Sequence, residues 1–268
     1  MKKIRLVLIA AALCIAGISC EKATVNEPEI VSGGTNDLGT YSDHKISWQD
    51  SFDSSSELKK NWMLIGNPEP NWKETANGQQ GLFDNNGASP SSNFAVSNLM
   101  IQKGGNYIVE AEIMLNIYNP YGSCVCPGVA VSRDEFPLLQ KDEIPFLVSM
   151  RVLYAGANAT WLPEWLRGHT WLVMQYLSEE EQTFSSYIPS DLLNGDWHRL
   201  KISVSQSGNP TFFCDDRVIW APDDTVMPMN SDKKVILGYT SGGDLENLAG
   251  VAYHNWIKVS YTLSLKDE

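Results

Sequence analysis

Between residues 46 and 263 the sequence alternates apolar and polar side chains with a period of two, and this alternation limits the possible folds more than any other feature. Tyr107, Val109, Ala111, Ile113, Leu115 and Ile117 alternate with Ile108, Glu110, Glu112, Met114 and Asn116. Successive side chains of an extended strand point to opposite faces, so this run predicts a long strand with one face against a core. His198, Leu200, Ile202 and Val204 alternate in the same way, as do Val251, Tyr253, Asn255, Ile257, Val259 and Tyr261. Residues 146–154, 171–176, 211–220 and 233–240 are β-rich runs bounded by Gly, Pro, Asn or Asp. Ser207-Gly208-Asn209-Pro210 predicts a hairpin turn. Helical signals are few. Ser54 and Glu57 have the spacing of a capping box ahead of residues 58–62, and residues 189–193 offer at most one turn before Gly195. No long run keeps the 3.6-residue period and no internal repeat occurs. The chain therefore reads as all-β, one two-sheet antiparallel β-sandwich over residues 46–263 with a short tail at 264–268.

The first residues have a different character. Met1 to Arg5 is basic, Leu6 to Ile18 carries no charge, and Gly17-Ile18-Ser19 leads into Cys20. A membrane-spanning helix needs about 20 apolar residues, and this run is shorter, so it reads as a secretory leader. It resembles the bacterial lipoprotein signal, which implies removal of residues 1–19 and lipid attachment at Cys20. An ordinary leader that leaves Cys20 as a thiol is the alternative. Residues 20–45 are polar, with Gly33-Gly34, Pro28 and a single aromatic, Tyr41. That composition buries too little surface to offset its ordering entropy and reads as a flexible tether. The expected location is the bacterial cell envelope, on the outer membrane, at its periplasmic face or at the cell surface. Contact with the membrane is expected through the lipid anchor alone.

Acidic residues outnumber basic ones 32 to 20, a net charge of −12, and loss of Lys2, Lys3 and Arg5 with the leader leaves 17 basic residues and −15. Such a surface repels phosphate backbones, so nucleic acid is excluded as a partner. Export permits a disulfide among Cys124, Cys126 and Cys214, but their spacing does not choose the pairing, and buried small apolar residues are the favoured reading. The four histidines are dispersed, and their spacing suggests no metal set. Asp134-Glu135, Asp142-Glu143, Asp215-Asp216 and Asp223-Asp224 offer oxygen ligands of the kind Ca²⁺ takes, none in an EF-hand pattern. No cofactor is expected.

The order of landmarks resembles the concanavalin A-like lectin/glucanase superfamily, the jelly-roll group that includes laminin G-like domains. The landmarks are residues 48–52 (WQDSF), 107–113 (YIVEAEI), 195–202 (GDWHRLKI), 211–219 (TFFCDDRVI) and 254–259 (HNWIKV). The resemblance implies a jelly roll whose first and last strands pair, with Asp215-Asp216 at a turn that is usually Asp-Gly. Within the superfamily the chain is most similar to glycan-handling lipoproteins, including relatives of the 3-keto-disaccharide hydrolases. These are structural motifs, and they speak for fold more than for activity.

Two sets of residues bear on chemistry. The laminarinase-like members place three acidic residues on alternate positions of one strand. Glu110 and Glu112 begin that pattern and Met114 ends it, so no complete catalytic centre is recognisable. The pair fits either convergence on a substrate or a solvated face opposite Arg199, Lys201 or Lys258. The second set is aromatic. Trp161, Trp165, His169 and Trp171 crowd a segment between two predicted strands. Aromatic faces suit the C–H faces of sugars, with Arg151 and Gln175 expected as polar partners from the flanking strands. The same segment also reads as a lid that buries its tryptophans. The combined expectation is a membrane-anchored carbohydrate-binding accessory lipoprotein of glycan utilisation, with a polysaccharide or oligosaccharide as partner. A glycoside hydrolase-like enzyme acting on a (keto-)glycosidic linkage and a protein-binding adhesion or structural module are the alternatives.

Overall fold

The alternating runs become strands because each has one face that must leave water. The computed structural model describes residues 44–52, 55–65, 92–133, 146–190, 195–222, 226–242 and 249–263. The leader, Cys20, nearly all of the tether, the turn at 191–193 and the acidic pairs at 134–135, 142–143 and 223–224 lie outside these residues.

The described chain runs through β1 (His44–Asp50), α1 (Ser55–Asn61), β2 (Trp62–Ile65), β3 (Ser92–Ile101), β4 (Tyr107–Ile117), β5 (Cys124–Arg133) and β6 (Phe146–Ala155). A single 3₁₀ turn (Glu164–Leu166) precedes β7 (Thr170–Leu177) and β8 (Thr183–Pro189). Then come β9 (Trp197–Val204), β10 (Pro210–Cys214), β11 (Arg217–Trp220), β12 (Lys233–Gly242) and β13 (Gly250–Leu263). One sheet has the order β1-β13-β4-β9-β10-β11 and the other β2-β3-β12-β5-β6-β7-β8. Every pair of neighbours is antiparallel. The first and last strands lie side by side, His44 opposite Leu263. The chain is thus a two-sheet antiparallel sandwich, as the alternation requires. β1 starts at His44, so the tether boundary at residue 45 falls inside this strand.

The predicted run at 211–220 divides into β10 and β11 at Asp215-Asp216, where both residues have positive φ (48° and 64°). A two-residue hairpin turn with φ positive at both positions matches the twist of its strands, and Asp tolerates that conformation. β5 did not alternate in the sequence because nine of its ten residues are buried, so both of its faces are apolar.

Between the sheets Trp62, Tyr107, Val109, Ile202, Phe212 and Val259 pack as one cluster. Full burial of a side chain of the Val, Leu or Phe class contributes about 1.5–3 kcal/mol. One carboxylate inside this layer is structural. Asp50 is buried and accepts hydrogen bonds from the Phe52 backbone N–H at 2.8 Å, the Asn61 amide at 3.3 Å and the Trp62 indole N–H at 2.7 Å. It therefore ties the end of β1 to the end of α1 and the start of β2. Trp48 and Phe52 pack on the Trp62 ring at 6.2 and 5.9 Å between centroids.

Candidate functional site

The aromatic segment forms residues 156–169, between β6 and β7. It folds back onto the outer face of the seven-stranded sheet, away from the main core. Ala159, Leu162 and Leu166 are buried there with Cys124, Cys126, Leu153, Ala155 and Val173, against Trp171 and Tyr187. The sheet supplies this apolar surface because alternate residues of β5, β6 and β7 face outward.

Hydrogen bonds fix the segment on its seat. The Arg167 guanidinium donates to the Leu162 carbonyl through Nε at 2.9 Å and Nη2 at 2.6 Å, and to the Thr160 carbonyl at 3.0 Å. The Trp171 indole donates to the Leu166 carbonyl at 3.1 Å, and the Gly168 N–H to Ala155 at 2.7 Å. Gly168 takes φ of +76°, a conformation open to glycine that returns the chain to β7.

The segment covers the sheet as a lid would, but not by burying its tryptophans. The aliphatic side chains cover the sheet, while Trp161 remains 43% exposed and Trp165 50% exposed. Trp165 meets Trp171 at 5.3 Å and Tyr187 at 5.5 Å, nearly perpendicular to both. Edge-to-face packing is the favoured aromatic geometry, so the ring is held at a fixed angle with half its surface in solvent. Trp171 lies in β7, partly buried, with its N–H spent on the loop, and acts as a support.

Arg151 and Gln175 lie on the same outward face but inside it, 1% and 6% exposed. Arg151 stands opposite Val173, and Gln175 stands opposite Ser149 and donates to Ser185 Oγ at 3.0 Å. The expected polar partners are thus interior groups of that face. Tyr187 and Arg167 were not expected in the sequence reading. The strand carrying Tyr187, TFSSYIP, is intermediate or exposed along its length and gives a poor alternation signal.

Glu110 and Glu112 belong to the other sheet. Both point to the outer face of β4, with Glu110 opposite Lys201 and Lys258 and Glu112 opposite Arg199. Arg199 approaches Glu110 at 3.6 Å, and the Asn255 amide, at a bulge in β13, donates to Glu112. Asp216 pairs with Arg199 and with Lys201. This is the cross-strand ion-pair face that the sequence also allowed, and the two sheets keep it apart from the tryptophans.

His198 and Asp215 brace the turn between β10 and β11. His198 Nδ1 lies 2.8 Å from Asp215, whose second oxygen accepts the Arg199 backbone N–H. Desolvation raises the Asp215 carboxyl, but the Arg199 N–H, His198 and the Arg199 charge outweigh it and hold the group below its ordinary range. Cys124, Cys126 and Cys214 are buried thiols. Among the described residues no group of three His, Cys, Asp or Glu side chains is placed to hold a metal ion, and no helix is long and apolar enough to cross a membrane.

No protein-family model matches the sequence, and no curated protein is significantly similar to it. Solved structures do match. A protein from work on endo-acting O-glycanases, expressed by prominent members of the human gut microbiota to initiate mucin breakdown, aligns with a TM-score of 0.50 at 13% identity, covering 81% of this chain and 98% of that one. A glycosyl hydrolase family protein from Mycobacterium fortuitum aligns at 0.47 and 13%, over 79% and 97% of the two chains. LamAcat from Zobellia galactanivorans aligns at 0.43 and 13%, over 81% and 78%. At these identities what is shared is the architecture, an antiparallel two-sheet jelly-roll β-sandwich.

Proposed function

We propose that this chain binds glycans, with Trp161 and Trp165 as the recognition platform, and that a lipid on Cys20 holds it at the bacterial cell envelope as an accessory protein of glycan utilisation. One observation carries the binding reading. Trp165 is half exposed while two perpendicular aromatic contacts fix its ring, on a segment whose own apolar residues are already satisfied. A preoriented aromatic face beside water is what stacking on a sugar requires, since little side-chain freedom is then lost on binding. The ligand class agrees with that of the fold neighbour from the O-glycanase work. Catalysis centred on Glu110 and Glu112 has less support. Both groups are already engaged by Arg199 and Asn255, and the third position of the pattern is Met114.

Affinity electrophoresis against a panel of polysaccharides, followed by calorimetry on the one that retards the protein, tests the proposal. Trp161→Ala with Trp165→Ala is expected to abolish retardation without lowering the melting temperature by more than a few degrees. Unchanged retardation in that variant refutes the site. Reducing-sugar release that disappears in Glu110→Gln with Glu112→Gln refutes the accessory reading.

A further inference from the structure

The platform does not end at Trp161 and Trp165. Among the described residues seven large apolar side chains are exposed, and four of them are Tyr118 (57%), Tyr121 (69%), Trp161 and Trp165. The strand directions bring all four to one end of the sandwich, because 118–123 joins the end of β4 to the start of β5 and 156–169 joins the end of β6 to the start of β7. The two segments are fastened to each other. Gly156 N–H donates to Ser123 O at 3.3 Å, Ala157 N–H to Pro120 O at 3.2 Å, and the Tyr154 hydroxyl to Pro120 O at 3.2 Å. A Cβ on Gly156 would lie 2.0 Å from the Gly122 carbonyl oxygen, so the backbones meet more closely than any other residue at that position allows.

Exposed aromatics clustered on two interlocked loops mark a contact surface. Its length follows from the sheet. Tyr121 stands at the head of β5, and Trp165 packs on Tyr187 of β8, in the order β5-β6-β7-β8. Trp165 packs on Trp171 of β7 as well, so two to three strand spacings separate them, about 10–14 Å in all. Its charge follows from the loops. Residues 118–123 carry no ionisable group except the tyrosines, and 156–169 carry Glu164, Arg167 and His169. Arg167 directs its donors at the Leu162 and Thr160 carbonyls. A polyanionic ligand would meet a chain of net charge −12 whose two loops carry a single guanidinium, Arg167, with Nε and Nη2 already bonded to loop carbonyls, and no lysine.

We infer that Tyr118 and Tyr121 extend the tryptophan platform into one surface that takes an uncharged glycan chain several sugar residues long, in preference to a polyuronate, a sulfated glycan or a single terminal sugar. This rests on the glycan-binding reading above. The test uses neutral linear polysaccharides (a β-glucan, a xylan and a mannan) beside alginate and heparin, then calorimetry on an oligosaccharide ladder of the neutral polymer that retards best. Tyr118→Ala with Tyr121→Ala is expected to lower affinity for the longest oligomers roughly 10-fold and leave the shortest nearly unchanged, and the double Phe variant is expected to restore it. Equal affinity of the Ala variant and the parent for every oligomer overturns the inference while the tryptophan site stands. Tighter binding of alginate or heparin also overturns it. Absence of retardation by every glycan overturns both readings, and points to a protein partner.

Discussion

His254 lies in β13 and points inward, with no exposed surface, and its Nε2–H faces the Gly128 carbonyl of the opposite sheet at 3.4 Å. Charging the ring there removes an imidazolium from water and returns one long hydrogen bond. Burial therefore pushes the pKa down from its ordinary 6.5 to about 4, only partly opposed by the Gly128 carbonyl. The sign of the resulting pH dependence is fixed. Above pH 6.5 the ring is neutral in both the folded and unfolded chain, so it adds no slope. Between 6.5 and 4 the unfolded chain binds a proton that the folded chain does not, so stability falls as the pH falls. The interval corresponds to about 3 kcal/mol, complete near pH 4. Urea unfolding followed by tryptophan fluorescence, from about pH 8 to about pH 4, measures it. His254→Gln keeps a donor for Gly128 and removes the titration, so its stability is expected to decline less than the parent's by about 3 kcal/mol across that range. Asp215 also titrates toward the acid end, but it does so in both proteins and cancels. Parallel profiles for the two proteins would refute the reasoning, since they would mean that the buried ring takes up its proton as readily as in water.

Two further predictions concern stability and reactivity. Asp50→Ala strands the Trp62 indole N–H and the Asn61 amide in a buried layer, and the expected cost in a urea titration is about 3 kcal/mol; Asp50→Asn, which keeps an acceptor, is expected to lose less. Burial, with Asp215 beside it, pushes the Cys214 thiol up to about 12, and Cys124 and Cys126 are fully buried. A maleimide at neutral pH should therefore leave all three unlabelled in the native protein and label them on unfolding, as mass spectrometry of the digested protein would report.

The sandwich was legible in the sequence wherever one strand face meets water. β4 and β9 were legible because Glu110, Glu112, Arg199, Lys201 and Ser203 stand on their outward faces. In β13 a bulge between His254 and Trp256 shifts the alternation, so that Ala252 and His254 face inward where the sequence pattern put Tyr253 and Asn255. β5 and β8 were missed for opposite reasons, the first buried on both faces and the second on neither fully. The same difficulty governed the site. Trp161 and Trp165 were legible as a cluster, since residue type and spacing are local. Their exposure was not, because it depends on whether Leu162 and Leu166 or the indoles take the seat against Leu153 and Val173. The inward placement of Arg151 and Gln175 was illegible for a related reason. Period two assigns them a face of the sheet but is silent about what covers that face.

The choice the loop makes has a cost that argues for a ligand. A buried Trp removes about 150–250 Å² from water, so leaving near half of Trp161 and Trp165 exposed forgoes on the order of 100 Å² each, or about 2–3 kcal/mol per ring. A segment selected only to cover the seven-stranded sheet has no use for either ring, because Ala159, Leu162 and Leu166 already close it. Leu or Met at both positions would leave less apolar area in solvent. What the Trp165 indole adds is a flat face at a fixed angle, since Trp171 and Tyr187 are arranged to keep its ring upright. On the proposed reading, covering that face with a glycan recovers part of the forgone burial at the moment of binding, offset by the freedom lost on association.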